Sequence, residues 1–482
     1  MKRILLIILI MAGIQAATSA QTTQPASERL THTQLWHFDI AKLDSMYNSW
    51  NERVQAVPTD EQSWRNLFEI YLARMVVTPR QKQHAYKKAC NIMARMEQAI
   101  PDTYTFNYCA YEGNYEYDKY TGEPYGLADY QRFRNRFADR AIALLPEDAQ
   151  ADDYECWVSY LYMYLDTVRL TDVLTHYYES GLYPAAALHY HYNELQGMDE
   201  GAIYLGATEG DIIGKLMLQR VKGVHRDKIL YNENAISWRP YLEAFFRQAG
   251  LSEHFFDPDG VWATSEEQTE EMLCIVRYIC EHSKRPVYTS ASSLSRLILG
   301  YRLPDDIKAC LYNEGLTMRY AAKPYDNQAV KRRNVEERYL LEYLRMEFSP
   351  RASRMNTQRF QQDPGTLAFN YLLLFNDLLP YYKKHNPKRH AWLNSLFTEI
   401  LDQMASKNIA GYGFGGSMFH IEKSDVGGPH YEVIQEPYNI EDENDDDATR
   451  RQKRDEQKRG TRVIVKTEPV ALHPSASTVG QK

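Results

Sequence analysis

Gln196-Gly-Met-Asp-Glu-Gly-Ala-Ile-Tyr-Leu-Gly-Ala-Thr-Glu-Gly-Asp211 is the stretch on which the fold turns. Ala202-Ile-Tyr-Leu205 is a short β-prone run, and Gly206 to Asp211 is a turn built from the residue types that turns prefer. Ile213, Leu216, Met217 and Val221 then follow at helical spacing, ahead of a second β-prone run, Lys228-Ile-Leu-Tyr231. Strand, helix, strand predicts a βαβ unit. Two further runs, Pro286-Val-Tyr-Thr289 and Leu316-Thr-Met-Arg-Tyr320, extend it. Helical patterns at Tyr241/Leu242/Phe245/Phe246 and Met272/Val276/Ile279 lie between, so residues 196–325 are expected to form a small parallel α/β module.

Upstream, residues 30–195 carry a repeat. Ala56-Val-Pro58-Thr-Asp60, Ala99-Ile-Pro101-Asp102 and Leu144-Leu-Pro146-Glu-Asp148 each close an apolar helix with proline and an acid. Proline stops one helix and suits the first turn of the next, where acids are also favoured. The intervals of 43 and 45 residues (58 to 101 to 146) belong to helical solenoids. Trp64, Leu67, Phe68, Tyr71, Leu72 and Met75 mark one continuous helical face, and Ala85, Ala89, Ile92, Met93, Met96 and Ile100 another. Phe133, Phe137, Ala141, Leu144 and Leu145 mark a third. The array resembles degenerate tetratricopeptide repeats, with units longer than the usual 34 residues. Stacked repeats of that kind offer a concave binding surface.

Residues 1–20 read as a secretory signal peptide: Lys2 and Arg3, an apolar core from Ile4 to Ile14, and Thr18-Ser-Ala20 as the cleavage site. That core is shorter than the ~20 residues a membrane span needs, and no later run approaches one. The expected location is therefore periplasmic or extracellular. Removing the leader takes the net charge from −8 to −10 (54 basic against 64 acidic residues), which argues against a nucleic-acid partner. Six cysteines in this length do not make a disulfide framework. Residues 330–408 return to helix, with Tyr339/Leu340/Tyr343/Leu344 and Leu372/Leu373/Asn376/Leu379 ahead of Pro380. From 409 to 482 the chain is polar and expected to be a flexible, largely disordered tail. It holds a glycine-rich loop (Gly411 to Gly416), an acidic run (Glu441 to Asp447) and basic runs at 450–454 and 458–459. The predicted class is thus α-rich: a helical-repeat array, a small α/β module, C-terminal helices and the tail.

In an open α/β sheet, ligands bind outside the carboxyl ends of the strands. Those ends would carry Thr208, Glu209, Gly210 and Asp211, then Asn232, Glu233 and Asn234, then Thr289 and Ser290. A polar ligand pocket is the functional reading; a capped helix with ordinary turns accounts for the same residue types. Gly210-Asp-Ile-Ile-Gly-Lys215 is one residue short of a phosphate-binding loop and is followed by Leu216, not a hydroxyl. His189, His191 and Glu194 hint at metal ligands, but in a helix positions i and i+2 point apart, so neither a metal nor a cofactor is expected. The 37 tyrosines, crowded at 104–120 and 160–164, suit either helix packing or recognition.

Two stretches carry a resemblance. One is 196–211 continued through Gln219-Arg-Val-Lys-Gly-Val-His-Arg-Asp-Lys-Ile-Leu-Tyr231 to Trp238; the other joins Arg285-Pro-Val-Tyr-Thr289 to Tyr312-Asn-Glu-Gly-Leu-Thr-Met-Arg-Tyr320. They resemble the soluble C-terminal region of multi-pass bacterial envelope proteins likened to protein O-mannosyltransferases. In that family a strand ends in a Thr-Asn-Gly-Asp-type turn, a helix ends in Val-x-Gly-Val, and helices follow the α/β unit. The resemblance implies an envelope role without the membrane-embedded half that would carry the transfer chemistry. The family's turn continues Asp-Asn-Asp-Thr, whereas this chain has Asp211-Ile-Ile-Gly214.

The leading expectation is an exported, non-catalytic scaffold or recognition protein. It would bind a protein or glycoconjugate partner in the envelope, such as glycan-transfer or protein-export machinery. The alternative is an enzyme acting on glycans, with Glu209, Asp211 and Glu233 supplying paired carboxylates.

Overall fold

The computed structural model describes residues 40–77, 82–121, 126–206, 209–232, 238–252, 265–291, 304–345, 364–406, 410–412, 417–424, 430–437 and 461–465, with a few isolated positions besides. The leader, Thr208, Glu233, Asn234, the Glu209 side chain and the charged runs at 441–459 lie outside the described residues. The chain divides into two compact units, Met1–Ala149 and Gln150–Lys482.

The first unit is helical. Its helices are α1 (Ile40–Ala56), α2 (Glu61–Val77), α3 (Lys82–Ala99), α4 (Tyr104–Glu112), α5 (Tyr117–Thr121) and α6 (Leu127–Ala143). Pro58 and Pro101 fall at helix junctions, as their chemistry demands. Thr103 caps α4 by accepting from the Phe106 N–H at 3.2 Å. Asp102 holds Arg140 of α6 through two bonds of 2.6 and 2.7 Å. Helix α2 is the centre of the unit, with Trp64, Leu67, Phe68 and Tyr71 all buried. Its Ile70 and Ala73 meet Leu43 of α1. Ala89, Ile92, Met93, Met96 and Ile100 are buried as the periodicity predicts, while Phe133, Phe137, Leu144 and Leu145 are half-buried.

Most of the crowded tyrosines serve packing. Tyr108, Tyr111, Tyr115 and Tyr130 are buried, Arg65 lies over the Tyr108 ring at 3.3 Å, and Phe106, Phe133 and Phe137 stand edge-on to one another. Tyr117 stands edge-on to Tyr130 at 4.9 Å yet is 40% exposed, and Leu127 is 55% exposed.

In the second unit, α7 (Ala151–Met163), α8 (Thr167–Glu179) and α9 (Ala185–Gly197) lead into a five-stranded sheet. The strands are β1 (Ile203–Gly206), β2 (Ile229–Asn232), β3 (Val287–Ser290), β4 (Leu311–Asn313) and β5 (Thr317–Tyr320), in the order β2-β1-β3-β5-β4. Between them run α10 (Glu209–Arg220), α11 (Arg239–Ala249), α12 (Ser265–His282) and α13 (Asp305–Ala309). The three strands β2, β1 and β3 are parallel, with Ile203 opposite both Ile229 and Val287. The sheet as a whole is mixed and not wholly parallel. Strand β5 runs antiparallel to β3, and a short hairpin pairs it antiparallel with β4 at the edge of the sheet.

Alternation along the strands sorts side chains to two faces. Ile203, Leu205, Ile229 and Val287 pack with Tyr241, Phe245 and Phe246 of α11 and Ile275, Val276 and Ile279 of α12. Tyr204, Tyr288 and Ser290 point to the other face, where α9 and α10 lie. The edge strand β2 is finished by phenols: the Asn232 N–H donates to Tyr241 Oη (2.8 Å), which donates to Tyr162 Oη, which donates to the Leu230 carbonyl (2.8 Å). Burial pushes the Tyr162 phenol up to about 12.

Helix α14 (Asn327–Arg333), continued by a π-turn at Asn334–Arg338, precedes α15 (Pro364–His385) and α16 (Pro387–Ser406), which pack together. The described part of the tail adds four strands that the sequence reading did not place. They are β6 (Ala410–Tyr412), β7 (Ser417–Ser424), β8 (His430–Pro437) and β9 (Thr461–Val465), in one antiparallel sheet. Lys423 of β7 ties it to Asp402 of α16 at 2.7 Å. Among the described residues, no helix is long and apolar enough to cross a membrane.

Candidate functional site

Strand β1 connects through α10 to β2 on one side, and β3 lies on its other side, so β1 and β3 bound the topological switch point of the parallel strands. Two of the sequence-predicted residues border it, both acting on Tyr190 and Tyr204. Ser290 ends β3 on the face of Tyr204, and Asp211 lies in the first turn of α10. Gly210 is buried in that turn. Thr289 is turned to the sheet itself, where its hydroxyl donates to the Leu205 carbonyl at 2.9 Å. Asn232, buried at the end of β2, has its N–H on the phenol chain.

The chemistry beneath the switch point is carried by residues outside that predicted set. Lys215 of α10 is fully buried, and its Nζ donates to Glu194 Oε2 at 2.5 Å, to His191 Nδ1 at 2.9 Å and to the Asp211 carbonyl at 2.8 Å. Nζ thus has a polar atom within hydrogen-bond reach for each of its three hydrogens. Nδ1 of His191 also lies 3.0 Å from Glu194 Oε2: it accepts from the ammonium in one tautomer and donates to the carboxylate in the other. The ammonium also lies 4.1 Å from the centre of the Tyr204 ring.

Gly214 makes this packing possible. A Cβ there would collide with the His191 ring and the Tyr183 hydroxyl, so only glycine lets α10 come this close to α9. His191 turns inward while His189 is half-buried, as the i, i+2 spacing requires.

Burial alone pushes Glu194 upward, but Lys215, with help from His191, outweighs it and holds the carboxyl below its ordinary range. Burial raises the phenols of Tyr177, Tyr183, Tyr190 and Tyr204 well above theirs, and the carboxylates of Glu155, Glu194 and Asp211 add to it. Tyr177 donates to Glu155 Oε1 at 3.0 Å. Three fully buried oxygens here form no well-aligned hydrogen bond: Glu194 Oε1, Tyr190 Oη and Tyr204 Oη. The Ser290 side chain is near both phenols, and its influence offsets a small part of their burial.

Among the described residues, no group of three His, Cys, Asp or Glu side chains could hold a metal ion. The paired carboxylates expected of Glu209, Asp211 and Glu233 reduce to Asp211 within the described side chains. The signal that would have found Lys215 is a lone cation in the apolar run Ile212-Ile-Gly-Lys-Leu-Met-Leu218. Protein-family models, curated proteins and solved structures were all compared with this chain, and none matches it.

Proposed function

We propose that this chain is an exported, non-catalytic scaffold or recognition protein of the bacterial envelope, with a protein or glycoconjugate as its partner. The observation that carries this reading is how the switch point is filled. Where an α/β enzyme keeps its reacting groups, the Lys215 ammonium is engaged by the Glu194 carboxylate, the Asp211 carbonyl and the His191 ring in a buried Lys–Glu–His network. An ammonium so engaged is neither a nucleophile nor a proton acceptor. Such a network fixes α9 against α10 and lends rigidity to the module.

The resemblance of residues 196–240 and 284–321 to the soluble region of envelope proteins, and the signal-peptide pattern before them, are what support that location. The tetratricopeptide-like reading of the helices supplies the mode of binding. Tyr117 and Leu127, exposed on the first unit, are the contacts it would use.

Crosslinking and co-purification of the full chain from its native envelope tests this. A defined partner is expected by mass spectrometry, with recovery reduced by Tyr117→Ala combined with Leu127→Asp. A chain recovered alone, or a partner indifferent to that variant, counts against the reading.

A further inference from the structure

Helix α15 ends at His385 and α16 begins at Pro387, with only Asn386 between them. Residues 383–390 read Lys-Lys-His-Asn-Pro-Lys-Arg-His: four cations, two histidines and no acid, in a chain of net charge −8. Cations at the end of α15 suit its dipole, but the first turn of α16 holds Lys388, Arg389 and His390 where acids are preferred. The positive helix start thus adds to the side-chain charge, with no acid in the first turn of α16.

The corner is held firmly. Asn386 Oδ1 accepts from the Arg389 N–H at 3.1 Å, and Arg389 donates to the Val335 carbonyl at 2.9 Å. Helix α14 brings Arg332 over the Tyr381 ring at 4.3 Å, and Arg333, next to it in sequence, is exposed. Of the nearby acids, Asp377 pairs with Lys331, while Glu336, which accepts from the Tyr382 hydroxyl at 2.6 Å, and Glu337 are both exposed. Tyr381, 39% exposed, sits between Arg332 and the His385 ring at 4.6 Å.

We propose that this α15–α16 corner docks on the phosphate groups of an anionic lipid bilayer. Clustered lysine and arginine around an exposed tyrosine is what a membrane–water boundary favours. Among the described residues the patch sits at one helical corner, and the chain's net charge of −8 disfavours an extended polyanion such as nucleic acid. The proposal rests on the exported reading only for where such a bilayer would be met; binding to vesicles in solution is independent of it.

The test is co-sedimentation of the purified full chain with phosphatidylglycerol-containing vesicles and with phosphatidylcholine vesicles alone. Binding to the first only is expected, falling away at about 0.5 M salt. The variant K384E/K388E/R333E, all at exposed positions, should lose ~100-fold or more in affinity. The control R220E/K222E/K323E makes the same change in net charge elsewhere and should keep binding. No binding to the anionic vesicles, equal loss in both variants, or tighter binding to a labelled single-stranded DNA would each overturn the proposal. Failure here leaves the envelope crosslinking result standing, so the two readings fail separately.

Discussion

The Nζ of Lys215 lies 2.5 Å from Oε2 of Glu194, and both side chains are withdrawn from solvent. An ion pair in this setting is costly to create, because both charges leave water, and costlier to break. Removing one partner strands the other. Glu194→Gln or Lys215→Met alone should destabilise the protein by ~3–5 kcal/mol in denaturant titrations. The double variant should recover a large part of that loss. Additive losses would show that the pair is not coupled.

The same pair sets an acid limit. The folded carboxyl of Glu194 is held below its ordinary value of 4.5. Its contribution to stability is therefore complete above that value and is lost as pH falls toward and through the lower folded one. Unfolding free energy measured between pH 6 and pH 3 should fall with a shallower slope in Glu194→Gln than in the parent chain. Equal slopes would place the acid sensitivity elsewhere, with Asp166, Asp227 and Asp402 next in line in this unit.

Tyr190 and Tyr204 make the opposite prediction. Each buries a hydroxyl that forms no well-aligned bond, so Tyr204→Phe discards an unsatisfied group and keeps the ring over Lys215. Stability should stay within ~1 kcal/mol of the parent or rise. A loss of ~2 kcal/mol or more would mean that the hydroxyl serves a bound water or ligand.

Gly214→Ala should be among the most damaging small changes in the chain, because its methyl meets the His191 ring and the Tyr183 hydroxyl in a closed interior. A loss of ~1–3 kcal/mol is expected by thermal or chemical unfolding. Gly126→Ala, whose Cβ meets nothing within 4 Å, should cost less than ~1 kcal/mol.

Thiol labelling separates the cysteines, none of which is bonded to another. Cys274 is exposed on α12 and should react first in the native protein. Burial pushes the Cys280 thiol up to about 12 and the Cys109 thiol further, so both should label only on unfolding. Rapid native labelling of Cys109 would contradict the packing of α4.

The sequence by itself determined the local elements and their alternation. Apolar spacing marked α2 and α3, proline and acid marked their junctions, and β-prone runs marked β1, β2, β3 and β5, because these signals act within a few residues of one another. It also marked Asp211 and Ser290 as strand-end positions. Only the tertiary structure decided which way β5 runs, that most tyrosines at 104–120 pack inward, and that His191, Glu194 and Lys215 meet. Glu194 and Lys215 are 21 positions apart on different helices, and nothing in either segment alone specifies the other. Their meeting depends on Gly214 admitting α10 to α9 and on β1 lying between β2 and β3. Long-range packing chooses among the arrangements that local propensity leaves open, and the charge pair exists only once that choice is made.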